Sequence, residues 1–178
     1  SRRQRQMCIR DRWWTAGVQD TLNQTAEFDI TEILGNNTTV LPHNLYPNKD
    51  TNCTQLTNNN TPCNVDLSTD FHTIGFLWED GILKWFVDGE EIDSHTNINT
   101  PQYPMMFFLT AYRCQSGSYW GGSYDSSVED VEFLVDYMKI YKKATSISDK
   151  DVTFVNQIPI TIEAVSYTHL RAHETRGN

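Results

Sequence analysis

Runs in which β-branched, aromatic and polar residues alternate recur along the chain at Trp13–Gln19, Glu27–Leu34, Phe71–Trp78, Ile82–Val87, Met105–Tyr112, Glu132–Tyr141 and Val152–Ile162. Polar turns separate them, a punctuation that predicts strands. "EDG" before Ile82 and "VDGEEI" around Gly89 predict tight hairpins, because Asp-Gly supplies the positive φ such turns require. No segment of a dozen residues keeps a 3.6-residue period, so an antiparallel all-β sandwich is predicted over any βαβ arrangement. The polar stretch from Asn36 to Asp70 is expected to be a long irregular loop of the kind that rims a cleft. No internal repeat is visible.

At 178 residues, 38% of them hydrophobic, the chain can bury one substantial core but not two. The formal net charge of -9 disfavours a nucleic-acid backbone as partner and suits a neutral ligand such as a sugar. No run of eighteen apolar residues spans a membrane, and no signal-peptide pattern opens the chain. Cys53 and Cys63 close the short loop "NCTQLTNNNTPCN", which a disulfide would staple in an oxidising compartment; the alternative is a pair of free thiols. Sequons at Asn23, Asn36, Asn37, Asn52 and Asn59 lean towards secretion, although a loop rich in Asn and Thr generates them by composition alone.

Both ends read differently from the middle. "MCIRDR" and "SYTHLRAHET" resemble translated sequencing-adapter strings, and they concentrate positive charge in an acidic chain. Residues 1–12 and 165–178 are therefore expected to lie outside the fold. That removes Cys8 from the thiol inventory and leaves Cys114 unpaired; it also makes the missing signal peptide uninformative about localisation.

The segment "AEFDITEILG" places three carboxylates within six residues of a β-forming run, where Asp and Glu are normally depleted. Alternation puts Glu27 and Asp29 on one face and Phe28 and Ile30 on the other. Glu32 joins the carboxylate face only if a β-bulge at Ile30 and Thr31 inserts one extra residue. Three carboxylates in a row repel one another, so at least one pKa should rise. A retaining glycosidase needs one ionised carboxylate to attack the anomeric carbon and one protonated carboxyl group to donate to the leaving oxygen, about 5–5.5 Å apart. Asp29 between the two Glu is placed to hold their titrations apart. A solvated acidic edge strand, or a calcium site built from carboxylate oxygens, would carry the same pattern.

Several stretches in order resemble glycoside hydrolase family 16. "EFDITEILG" is similar to that family's Glu-x-Asp-x-x-Glu signature, "DFHTIGFLWEDGILKWFVDGEEI" to its next hairpin, and "VDYMKIYKK" to its closing strand. The resemblance covers roughly Trp13 to Lys143. It implies a concanavalin A-like jelly-roll sandwich of two curved antiparallel sheets with a cleft on the concave face. It further implies Glu27 as nucleophile, Asp29 as its supporting carboxylate and Glu32 as general acid and base.

Other roles follow from the same resemblance. Trp13 or Trp14 in "RWWTAG" would stack on a sugar ring, or else pack in the core. His43 would face the leaving-group side, or else lie on a surface loop, and Trp120 in "SGSYWGG" would contact ligand. Trp78 and Trp85 are expected in the core. Asp136 resembles a position that in some members helps hold a structural calcium ion; no cofactor is expected in catalysis.

The implied function is endo-acting, retaining hydrolysis of β-1,3- or mixed β-1,3/1,4-glucan by an extracellular monomer with no nucleic-acid partner. The alternatives are a galactan (agarose or carrageenan) hydrolase, a transglycosylase, or a non-catalytic glycan-binding protein on the same scaffold. A binding protein would typically have lost one of the two Glu, and both are present here. Family domains begin many strands before the signature, so the sandwich is expected to be incomplete and unstable alone. The expected organisation is a partial catalytic domain at residues 13–143, followed by a linker or further β segment at residues 144–164.

Overall fold

The computed structural model describes residues 9–113, 118–120, 122–123 and 133–141. Among the described residues are ten strands: β1 (Ile9–Ala16), β2 (Glu27–Leu34), β3 (Val40–Tyr46), β4 (Leu56–Pro62), β5 (Ile74–Glu79), β6 (Ile82–Val87), β7 (Glu90–Thr96), β8 (Met106–Arg113), β9 (Ser118–Tyr119) and β10 (Gly122–Ser123). They form a five-stranded sheet ordered β4-β3-β2-β1-β8, a three-stranded sheet ordered β5-β6-β7 and the short hairpin β9-β10, with every pairing antiparallel. The two larger sheets make the expected jelly-roll sandwich. Residues up to Phe133 form one unit, and Leu134 onward belongs to a second.

The core lies between these two sheets. Phe28, Ile30, Leu41 and Leu45 from the larger sheet pack with Leu83, Trp85 and Val87 from β6. Phe28 sets its ring 5.3 Å from Phe76 and 5.1 Å from Trp78. Trp85 is fully buried, as expected, whereas Trp78 is partly exposed and donates its indole N–H to Pro101 O. The meander β5-β6-β7 turns where Asp-Gly pairs stand. Asp88 and Gly89 both have positive φ, 51° and 84°, which is the primed-turn geometry that matches strand twist.

The chain departs from expectation in four places. Ile9–Arg12, expected outside the fold, form the first half of β1. They alternate along a strand that has β2 on one side and β8 on the other, so their backbone groups are paired twice over. Strands β3 and β4 occupy the stretch expected to be irregular. Leu41, His43 and Leu45 supply a buried face to β3, and the Asn-rich β4 is held as an edge strand by its pairing with β3, where context outweighs low β-propensity. Residues 133–141 contain no strand, with Leu134, Tyr137, Ile140 and Tyr141 exposed. Alternation specifies a face, but a strand also needs a neighbour for its ladder.

The fourth departure concerns the thiols. Cys53 and Cys63 are free, and each directs its Sγ to a nearby carbonyl, of Thr54 and Thr61 respectively. Strand β4 (Leu56–Pro62) separates them along the chain. Residues 1–8, 142–178 and Cys114 lie outside the described residues, and with them Cys8, the run Val152–Ile162, the 144–164 linker and the 165–178 tail.

Candidate active site

The ladder between β1 and β2 contains the bulge. Trp13 faces Thr31 and Trp14 faces Asp29, so Ile30 is an extra residue on β2. Across it Arg12 pairs with Glu32, while Ala16 pairs with Glu27. Arg12, Trp14 and Ala16 are spaced by two along β1 and share one face, and so therefore do Glu27, Asp29 and Glu32. A single guanidinium contacts all three carboxylates. Arg12 Nη2 donates to Glu27 Oε1 and Asp29 Oδ1, and its Nε lies 3.4 Å from Glu32 Oε1. A flat strand would separate Glu27 from Glu32 by about 13 Å; the bulged one brings both within reach of one planar fork.

Burial graduates across the row. Glu27 keeps part of its side chain in solvent, while Asp29 and Glu32 are almost fully enclosed. Glu32 accepts from Arg10 Nη1 at 3.3 Å and from Asn44 Nδ2 at 3.3 Å, and Asn44 Oδ1 in turn accepts the Asn58 amide at 2.9 Å. Burial, reinforced by the charge of Glu32, pushes the Asp29 carboxyl from 3.8 up to about 8 even though Arg12 pulls it down. Tyr46, opposite Glu27 on β3, is likewise pushed up by burial and by the three carboxylates.

Around this row lie groups that sugars use. Trp14 stacks on Phe108 from β8, with centroids 4.3 Å apart and planes at 23°. Next to Glu32, Asn44, Tyr46, Asn58, Asn60 and Trp120 line an open cavity of about 170 Å³. It offers amide and hydroxyl groups beside one exposed indole.

The expected residues divide between two faces. Glu27, Asp29, Glu32 and Trp14 share the carboxylate face, and Trp120 lines the cavity beside it. Trp13 points the other way and packs against the core. His43 faces neither a cleft nor solvent. It is fully buried between the sheets, stacked 4.3 Å from Trp85 and bonded to Asp93, because it alternates with Asn44 and so falls on the inward face of β3. Asp136 is exposed in the second unit. Sequence reasoning missed Arg12, Asn44, Tyr46, Asn58, Asn60 and Phe108. Alternation in "HNLY" already placed Asn44 and Tyr46 on one face; their register with the carboxylates had no local signal.

The sequence pattern that describes glycosyl hydrolases family 16 matches residues 12–139. The chain belongs to glycosyl hydrolases family 16. A relative named beta-glucanase, from Paenibacillus polymyxa, is 34% identical over 105 residues, covering 58% of this chain and 41% of its own length. The solved Bacillus licheniformis beta-glucanase superposes with a TM-score of 0.54 at 25% identity, over 68% of this chain and 54% of that one. The GlcNAcα1-4Gal-releasing endo-β-galactosidase from Clostridium perfringens gives a TM-score of 0.59 at 22% identity, over 68% of this chain and 31% of that one, a likeness of fold. The chain therefore spans less than half the length of the Paenibacillus relative and about half of the Bacillus structure.

Proposed function

We propose that this chain carries the catalytic carboxylates of an endo-acting, retaining β-glucan hydrolase, with β-1,3- or mixed β-1,3/1,4-glucan as substrate. The observation that carries this reading is the convergence of Glu27, Asp29 and Glu32 on one face through the bulge at Ile30. Glu27, the most solvent-accessible of the three, attacks the anomeric carbon as the glycosidic C–O bond breaks. Glu32 gives its proton to the leaving oxygen. In the second step Glu32 takes a proton from water, the water oxygen bonds to the anomeric carbon, and the Glu27 ester bond breaks. Asp29, its pKa raised by burial and its side chain bonded to Arg12, sits between the two as their supporting carboxyl group.

The beta-glucanase names of the relatives support glucan over galactan, and the neutral-ligand chemistry of the Asn, Tyr and Trp cavity suits a polysaccharide. The five sequons support an extracellular setting. No helix among the described residues is long and apolar enough to cross a membrane.

The test is reducing-sugar release from laminarin and from mixed-linkage glucan by the complete reading frame, beside Glu27→Gln and Glu32→Gln. Activity that vanishes in both variants supports the assignment. A second reading draws on Arg12, whose guanidinium ties up both Glu side chains and leaves the scaffold to bind glycan without cleaving it. Folded protein that binds laminarin but releases no reducing ends would favour that reading, and release from agarose or carrageenan alone would move the substrate to the galactans.

A further inference from the structure

The inward face of β3 and the strand β7 bring three ligand-type side chains together on the side of the sheet away from the carboxylates. His43 Nε2 lies 2.7 Å from Asp93 Oδ2, and His95 Nε2 lies 3.2 Å from the same oxygen. The three ligand atoms all fall within 4.8 Å of one another. His43 is fully buried, while Asp93 and His95 keep about a quarter of their side chains open to solvent, so the cluster has a closed back and an accessible mouth.

Hydrogen-bond bookkeeping sets what sits between these atoms. His43 Nδ1 is 3.0 Å from the carbonyl of Leu41, which can only accept, so that nitrogen carries a hydrogen. In the neutral ring Nε2 is then a lone pair aimed at a carboxylate oxygen, an arrangement that repels unless a proton or a metal ion lies between. Asp93 Oδ1 is engaged by the Ser94 amide at 2.8 Å, so Oδ2 alone faces both imidazoles. An imidazole held through its other ring nitrogen by a backbone carbonyl is the usual support of a metal-ligating histidine. The Trp85 ring walls the site, 4.3 Å from His43 and 5.9 Å from His95.

We propose that His43, Asp93 and His95 bind a divalent transition ion, zinc by the match of two imidazoles and one carboxylate to its preferences. Bonds of about 2.0–2.2 Å ask for ligand atoms roughly 3.3 Å apart, reached by small rotations of the two imidazoles about Oδ2. The fourth position opens to water through the solvent-accessible side of Asp93 and His95. The ion would tie β3, whose other face carries Asn44 and Tyr46, to β7 of the opposing sheet.

The test uses the whole chain, stripped with EDTA and titrated with ZnCl2 while heat and thermal unfolding are followed. One Zn2+ per chain, a Tm raised by several degrees and reversed by EDTA, and the visible spectrum of a tetrahedral complex with Co2+ are expected. His95→Ala, a partly exposed change that spares the core, should weaken zinc binding at least tenfold, and Asp93→Asn should do the same. Zinc that leaves the Tm of the wild-type chain unchanged, or that binds His95→Ala and Asp93→Asn as tightly as wild type, overturns the proposal. The cluster is then an imidazolium–carboxylate pair joining the sheets.

Discussion

The indole N–H of Trp85 donates to the carbonyl of Ile30 at 3.0 Å, and both residues are buried. Ile30 is the extra residue of the bulge and stands opposite no residue of β1. A core residue of the opposing sheet therefore bonds the backbone where the bulge sits. The bulge is what turns Glu32 onto the face of Glu27 and Asp29.

Trp85→Phe should destabilise the protein by about 1–3 kcal/mol through the lost bond to the Ile30 carbonyl, with a further cost for the cavity left behind. Urea titration measures that loss. If the carbonyl bond also holds the register, glucan hydrolysis per folded molecule should fall as well. Unchanged activity per folded molecule would separate the bulge from Trp85.

Tyr103 holds the other end of the carboxylate strand. Its hydroxyl accepts the amide of the fully buried Ala26 at 3.0 Å and donates to Asp50 Oδ2 at 2.9 Å, while its ring lies so close to Gly17 that a Cβ there would sit 2.7 Å from it. Tyr103→Phe keeps the ring and strands the Ala26 amide, for an expected loss of about 1–3 kcal/mol in urea. A change below about 0.5 kcal/mol would mean that water replaces the hydroxyl at Ala26.

What the sequence disclosed followed the range of the forces involved. Strands β2 and β6 match their predicted bounds, and Asp88-Gly89 turns as its residue types demand, because alternation and positive φ act between neighbours in sequence. Even the bulge was legible, since three carboxylates could share a face in no other way. Strand β4 was not legible: "LTNNNTP" becomes a strand only because β3 offers it a ladder. His43 was misplaced for want of one step, as Leu41 and Leu45 at spacing two already marked its face as inward. The convergence of β3 and β7 on Asp93 is a tertiary fact with no local trace.

The raised pKa of Asp29 predicts a stability that falls with pH. The native state keeps the proton up to about 8, whereas the unfolded chain releases it near 3.8, so the native form binds more protons throughout that window. This contribution is fully present below about pH 3.8 and is lost as pH rises through 8. Asp11, pushed to about 7 by burial alone, adds a loss of the same sign. The informative measurement is the difference: urea midpoints at pH 5 and pH 9 should drop less for Asp29→Asn than for wild type. Equal drops would assign the whole pH dependence to Asp11 and other groups.

Arg12 gives the sharpest functional prediction, because it belongs to the adapter-like stretch and yet lies across all three carboxylates. A glycosyl unit entering between Glu27 and Glu32 must displace that guanidinium. Charge-assisted hydrogen bonds contribute about 1.5–3 kcal/mol each, so their loss on substrate entry should cost roughly tenfold or more in kcat/KM. Arg12→Ser should therefore raise hydrolysis of laminarin by at least that factor. It should also push Asp29 further up, since the counter-charge that pulls it down is gone while Glu27 and Glu32 remain. The pH dependence of urea midpoints in this variant should extend to higher pH than in wild type. An Arg12→Ser protein that folds but stays as slow as the parent would show that the guanidinium is no barrier, and would strengthen the glycan-binding reading of the carboxylate face.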